Sequence, residues 1–137
     1  MKNRLAYVDG GCNNLTHMDA YGSYAIFDKP SESLLDFETF DLPHCSTNNE
    51  AEYGSMIKLL EKIKELNDGD GLDTNWVVRC DSKLVVMQLE GYWDIKEMKK
   101  KEHFSHYVDY AKELRDSIPN LNIHHVRRNE IVKVLGH

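Results

Sequence analysis

Apolar positions in this chain follow two periods, and the switch between them outlines the elements. Residues 4–8 place Leu5, Ala6, Tyr7 and Val8 in one short run ending at Asp9-Gly10-Gly11, which reads as a buried strand and a turn. Residues 20–27, with two tyrosines and an isoleucine, read as a second strand. Asp28-Lys29-Pro30-Ser31 makes a turn, and residues 34–40 a third strand. Short connections between these strands predict an antiparallel meander.

Beyond them the period becomes helical. Ser46-Thr47-Asn48-Asn49 supplies capping side chains, and residues 50–66 follow with Met56, Leu59, Leu60, Ile63 and Leu66 at helical spacing. Asn67-Asp68-Gly69-Asp70-Gly71 predicts the stop. Residues 76–80 read as a strand, Asp81-Ser82 as the cap of a short helix over 83–89, and Gly91 as its break. Residues 97–118 predict a longer helix closed by Pro119-Asn120, residues 121–126 a last strand, and residues from Asn129 onward a short helix. The order β-β-β-α-β-α-α-β-α predicts an α/β fold. Its mixed five-stranded sheet, three antiparallel strands and then alternating units, would carry helices on its faces.

Length and composition narrow the picture. At 137 residues, with no repeat or linker, the chain suits a single domain over 1–137. No apolar run approaches the roughly 18 residues of a membrane span, and Met1-Lys2-Asn3-Arg4 leads into a run too short for a signal peptide. No membrane partner, a cytoplasmic location and a monomer are expected. Cys12, Cys45 and Cys80 lack CxxC spacing, and His44-Cys45 has no second ligand pair nearby, so free thiols fit better than zinc or disulfides. A formal charge of −6 weakens any reading in which nucleic acid is held by net charge alone. A local basic patch, or acids gathered round metal ions, is compatible with it.

Three carboxylates carry the candidate chemistry. At about 100° per residue, Glu52 falls inside the apolar stripe of the first helix, whereas Glu50 falls on the polar face. A carboxylate in that stripe is costly to bury without a partner, unless the helix N-terminus favours it. Asp9 closes the first strand and Asp81 the fourth, at strand ends where sheets of this kind collect ligand sites. Each alone has a plainer reading, as a turn residue or an N-cap. Together they form the arrangement a divalent cation site needs, because such neighbours repel and raise each other's pKa unless a cation neutralises them.

Tyr7-Val8-Asp9-Gly10-Gly11-Cys12, then Thr47-Asn48-Asn49-Glu50-Ala51-Glu52-Tyr53, then Cys80-Asp81-Ser82 with Leu84, Val85 and Gln88, resemble type 1 ribonuclease H. His125-Val126-Arg127-Arg128-Asn129 is similar to that family's last strand and the loop after it. The resemblance runs nearly end to end, in the family's order. It implies a ribonuclease H-like fold, hydrolysis of RNA strands paired with DNA, and two-metal catalysis with Mg²⁺, for which Mn²⁺ could substitute. It also implies that Asp9, Glu52 and Asp81 are catalytic metal ligands, that Asn48 and Asn49 contact the hybrid near RNA 2′-hydroxyls, and that Thr47 holds a DNA phosphate. Cys12, Asn13 and Asn14 fall where the family often has another substrate-binding residue.

One position departs from the pattern. The family carries a fourth catalytic carboxylate, an aspartate early in the terminal helix within a pattern like Asn-x-x-Ala-Asp-x-Leu. Here Asn129, Val132 and Leu135 fit, and Lys133 stands where aspartate is expected. Three readings follow. The site is crippled and the protein binds hybrids; or Lys133 swings out and three carboxylates keep weaker catalysis; or the register shifts and Glu130 supplies the carboxylate. Lys133 could also pair with Asp9 and stand in for a cation. The family's frequent loop histidine is missing, and Arg127 and Arg128 stand there, able to hold phosphate but not to shuttle protons.

Lys96, Lys99, Lys100 and Lys101 follow Gly91-Tyr92-Trp93. They suggest a DNA-strand contact with Trp93 against a sugar or, more plainly, a solvated helix start balanced by Glu97 and Glu102. His103, His106 and Tyr110 share a helix face that reads as packing, and His124 and His125 alternate across the last strand. The leading function is endonucleolytic cleavage of the RNA strand of RNA–DNA hybrids, and the alternative is a non-catalytic hybrid-binding or scaffolding domain. A transposase or integrase core shares the fold, but those enzymes usually place their glutamate on a later helix than the one bearing Glu52.

Overall fold

The structure, a computed structural model, describes residues 1–13, 19–43, 45, 47–70, 73–93 and 102–136, the side chains of 13, 19, 70 and 102–105 excepted. Asn14, His44, Ser46, Lys96, Lys99, Lys100 and Lys101 lie outside these residues, as do the side chains of Asn13 and His103. The strands are β1 (Lys2–Asn13), β2 (Asp19–Lys29), β3 (Leu34–Asp41), β4 (Thr74–Cys80) and β5 (Leu121–His125). They form one sheet in the order β3-β2-β1-β4-β5. β2 pairs antiparallel with β1 and β3, whereas β4 pairs parallel with β1 and β5. The described helices are α1 (Asn48–Asp70), α2 (Lys83–Leu89), α3 (Glu102–Ser117) and α4 (Arg128–Leu135).

The main core lies between the sheet and α1. Tyr53, Met56, Leu59, Leu60 and Ile63 of α1 are buried with Ala6, Val8, Ile26, Trp76 and Val78 of the sheet, and Val108, Ala111 and Leu114 of α3 close over them. On the opposite face Ile131 and Leu135 of α4 pack with Ala25, Tyr7 and Phe27. Period-2 alternation along β1 divides these roles: Ala6 and Val8 point toward α1, and Tyr7 toward α4. A mixed sheet with helices on both faces is what the apolar pattern predicts.

Three local expectations are corrected. The first strand does not end at Asp9; β1 runs on to Asn13, with Asp9 opposite Ser23 and Gly10 opposite Gly22. The Asp9-Gly10-Gly11 segment is therefore strand, and its glycines serve close packing. A Cβ at Gly10 would lie 2.2 Å from Ser55 Oγ and 2.4 Å from the Ala51 carbonyl oxygen, and one at Gly22 would lie 2.1 Å from Ser55 Oγ. Those two missing side chains let the first half of α1 lie directly on β1 and β2. Second, α1 begins at Asn48 and runs through the predicted stop to Asp70. Asn67 is buried and accepts a 3.0 Å hydrogen bond from Trp76 Nε1, a tertiary contact that holds the last turns helical against their composition. Third, Glu50 is buried rather than on a polar face. The Thr47 hydroxyl donates to its carboxylate, and Cys45 Sγ donates to its backbone carbonyl.

Candidate active site

The register of the sheet builds half of the site. Val8 on β1 pairs with Cys80 on β4 as the last pair of that register, so Asp9, the next residue of β1, and Asp81, the first residue past the end of β4, emerge at neighbouring positions. β4 stops at Cys80, where Ser82 caps α2 by accepting from the Val85 N–H at 3.3 Å. The cap is thus Ser82 alone, and the Asp81 carboxylate turns to a different partner. Glu52 arrives from α1, brought down by the close approach at Gly10.

Asp9, Glu52, Asp81, Cys12, Asn48 and Arg128 all line one open depression of about 320 Å³. Burial lifts the Glu52 carboxyl above its ordinary pKa, and the charges of Asp81 and Asp9 push the same way, while a hydrogen bond from Ser82 and the charge of Arg128 oppose them. The three carboxylates predicted as a cluster are together.

A cation is already among them. Arg128 Nη1 donates to Asp81 Oδ2 at 2.8 Å and to Asp9 Oδ2 at 3.3 Å. Arg128, expected as a phosphate holder, spans the two aspartates in this structure. The partner of Asp9 is therefore Arg128 and not Lys133, which is exposed on α4 and does not line the depression. Glu130 does not line it either; it borders a neighbouring hollow with His125, Val126, Arg127 and Asn129. Arg127, at the N-cap of α4, makes no side-chain capping bond.

The donor set suits a hard divalent ion, with carboxylate oxygens from three separate elements. Yet among the described residues no group of three His, Cys, Asp or Glu side chains stands ready as an ion cage. The Arg128 guanidinium bonds both aspartates, and it would have to leave them for a divalent ion to be held by the set.

The rim is built from the start of α1. Thr47 is its N-cap: its hydroxyl accepts from the Glu50 N–H and donates to Glu50 Oε1, both at 3.1 Å. A hydroxyl so engaged has a structural duty at the helix start. Asn48 Oδ1 accepts from the Cys12 N–H at 2.8 Å, tying α1 to the end of β1 and leaving its amide nitrogen for any substrate. Asn49 is exposed in the first turn. Trp93 is 45% exposed with Lys83 Nζ 5.9 Å above its ring, away from the carboxylates. The packing expected of His106 and Tyr110 is not found: both are exposed, and Tyr110 donates to Glu61 on α1 at 2.9 Å.

One contributor, Tyr21, was not singled out by the sequence: it lines the depression from β2, with no motif to mark it. Arg128 was legible in one respect, because a cation in the first turn of a helix opposes the macrodipole. Such a placement calls for carboxylates nearby.

No protein-family model and no curated protein sequence matches the chain. Solved structures do. The ribonuclease H1 of the halophilic archaeon Halobacterium salinarum NRC-1 superposes with a TM-score of 0.76 at 26% identity, over 94% of this chain and 89% of that one. LC11-RNase H1, isolated from compost by a metagenomic approach, is 30% identical with a TM-score of 0.76, over 97% of this chain and 90% of that one. A second structure holds the LC11 enzyme in complex with an RNA/DNA hybrid. The N-terminal ribonuclease H domain of a Mycobacterium tuberculosis protein shares the fold, with a TM-score of 0.77 at 24% identity over 95% of this chain and 91% of that one.

Proposed function

The chain belongs to the ribonuclease H family, and from that premise we propose that it hydrolyses the RNA strand of RNA–DNA hybrids, at a rate reduced by Lys133 at the position of the fourth carboxylate. The observation that carries this reading is the convergence of Asp9, Glu52 and Asp81, from β1, α1 and the end of β4, on one open depression.

In this reading the three carboxylates hold Mg²⁺, or Mn²⁺ in its place. When bound, a pair of such ions supplies Lewis acidity to an attacking water and to the leaving oxygen. Water adds to phosphorus and the P–O3′ bond breaks, leaving a 5′-phosphate on one fragment and a 3′-hydroxyl on the other. The Asn48 amide and Asn49 face the strand that bears 2′-hydroxyls, the group by which RNA is told from DNA. Arg127 lies at the rim, where a guanidinium matches phosphate geometry.

A second reading, a hybrid-binding domain without catalysis, is favoured by one feature: the Arg128 guanidinium lies between two of the metal-binding carboxylates. Cleavage of an end-labelled RNA–DNA hybrid in Mg²⁺ and Mn²⁺ decides between them, comparing the chain with Asp9→Asn and Lys133→Asp. Slow cleavage by the chain, none by Asp9→Asn, and about tenfold faster cleavage by Lys133→Asp, equivalent to ~1.4 kcal/mol of barrier, is the expected pattern. Hybrid binding without cleavage in any variant supports the binding domain. Neither binding nor cleavage overturns both.

A further inference from the structure

We infer that Arg128 is a built-in competitor for the divalent ions, a positioning residue that must leave Asp9 and Asp81 before metal enters and that then turns to a substrate phosphate. This rests on reading Asp9, Glu52 and Asp81 as the metal ligands.

The first observation is which atoms are used. One guanidinium nitrogen, Nη1, donates to Oδ2 of both aspartates, at 2.8 and 3.3 Å. The end of the β1–β4 pairing brings these carboxylates to neighbouring positions within reach of one guanidinium nitrogen, and like charges so placed favour a cation between them. Arg128 supplies it from within the chain. A divalent ion held by the same aspartates would compete with the guanidinium for their negative charge, so the two oppose one another at this site.

The second observation is an asymmetry of burial. The Asp9 and Asp81 side chains are 3% and 13% exposed, whereas that of Arg128 is 56% exposed. Asp9 is held by strand backbone and Asp81 by the junction of β4 and α2, whereas the donor stands exposed at a helix end. Arg128 can withdraw by side-chain rotation alone, without any movement of β1 or β4. An Arg buried as deeply as its partners would be a permanent structural ion pair; this one is releasable.

The third is its placement. Arg128 is the first residue of α4, where the helix dipole disfavours a cation, so its position there depends on the carboxylates. Once a divalent ion neutralises them, both the site and the helix terminus repel the guanidinium, and an anion is the partner it lacks. A phosphate of the hybrid, lying over the same depression, has that chemistry and the matching fork geometry. Phosphate and metal then favour each other through one side chain, and by linkage the coupling is reciprocal.

The test is Mn²⁺ binding to the full chain without nucleic acid, read from the electron paramagnetic resonance signal of free Mn²⁺. Arg128→Ala should bind about tenfold or more tightly than the parent, within the ~5–150-fold span of ordinary coupling. Arg127→Ala, which removes the same charge from the neighbouring position, should change affinity far less. Melting temperature gives a second readout: Arg128→Ala should melt below the parent in EDTA, and added Mg²⁺ should raise it more than the parent. Equal or weaker Mn²⁺ binding by Arg128→Ala, or an equal gain in the Arg127→Ala control, overturns the inference. So does an absence of Mn²⁺ binding by every variant. A parallel measurement of hybrid binding in EDTA separates the two proposals. Hybrid bound with no Arg128 effect removes the competitor and leaves the function, whereas tighter Mn²⁺ binding by Arg128→Ala with no hybrid bound or cleaved removes the function and leaves the competitor.

Discussion

Gly10 joins fold and site at a single position. It sits one residue past Asp9, and the space where its side chain would be is filled by the Ala51 carbonyl and the Ser55 hydroxyl of α1. Gly10→Ala would force α1 off β1 and carry Glu52 with it. A loss on the order of 2–3 kcal/mol is expected from this overpacking, measured by urea unfolding, with a larger proportional loss of hybrid cleavage. Gly69→Ala is the matched comparison: it lies late in α1 with nothing within 4 Å of an added Cβ. It should stabilise by about 0.5–1 kcal/mol through helix propensity and the entropy of the unfolded chain. Equal effects from the two substitutions would show that the Gly10 contact is not limiting. The carboxylates were legible in the sequence because a buried acid in an apolar stripe is a local conflict visible without a structure. The glycine's role was not, because a strand Gly touching a helix far along the chain has the same local signature as a turn Gly.

At the scale of elements, the N-terminal end of α1 is where structural and substrate-binding readings meet. Thr47 caps the helix through Glu50, and Asn48 ties it to Cys12. Thr47→Ala should cost about 1–2 kcal/mol, as loss of an N-cap does, and Thr47→Ser should restore most of that. If capping is the whole role, hybrid affinity of the folded Thr47→Ala protein, read by fluorescence anisotropy at a temperature where it stays folded, should remain within about twofold of the parent. A tenfold loss of affinity beside intact folding would return the hydroxyl to phosphate binding. The helix was legible from its periodicity, but its ends were not. The Asn67 to Asp70 stretch reads as a stop, and the Trp76 indole overrides that by bonding Asn67. Glu50 reads as exposed because a helical wheel knows nothing of Cys45 and Thr47, which meet it from ahead of the helix. Both errors have one cause: a contact from outside the helix decides the state of a residue within it.

For the whole molecule the question is how a chain with a formal charge of −6 would hold the hybrid proposed as its substrate. Charge alone cannot do it, so the interface must be local and sparing in its phosphate contacts. Arg128 lines the depression, Arg127 precedes it at the start of α4, and Lys83 opens α2 two residues after Asp81. If these three carry the phosphate contacts, counterion release gives a slope of log K against log salt of about −2 to −3. The remaining affinity comes from terms that salt leaves nearly untouched, such as asparagine contacts to 2′-hydroxyls. The four lysines from Lys96 to Lys101 offer a sharply different answer. Were they all engaged, they would steepen the slope to about −5 or −6. Anisotropy titrations of a labelled hybrid from low to moderate KCl, in EDTA so that Mg²⁺ neither competes nor triggers cleavage, read the number directly. A shallow slope, unchanged when those lysines are replaced by glutamine, makes them a solvated helix start. A steep slope that flattens in that variant makes them a second contact with the DNA strand, extending the interface well beyond the carboxylates.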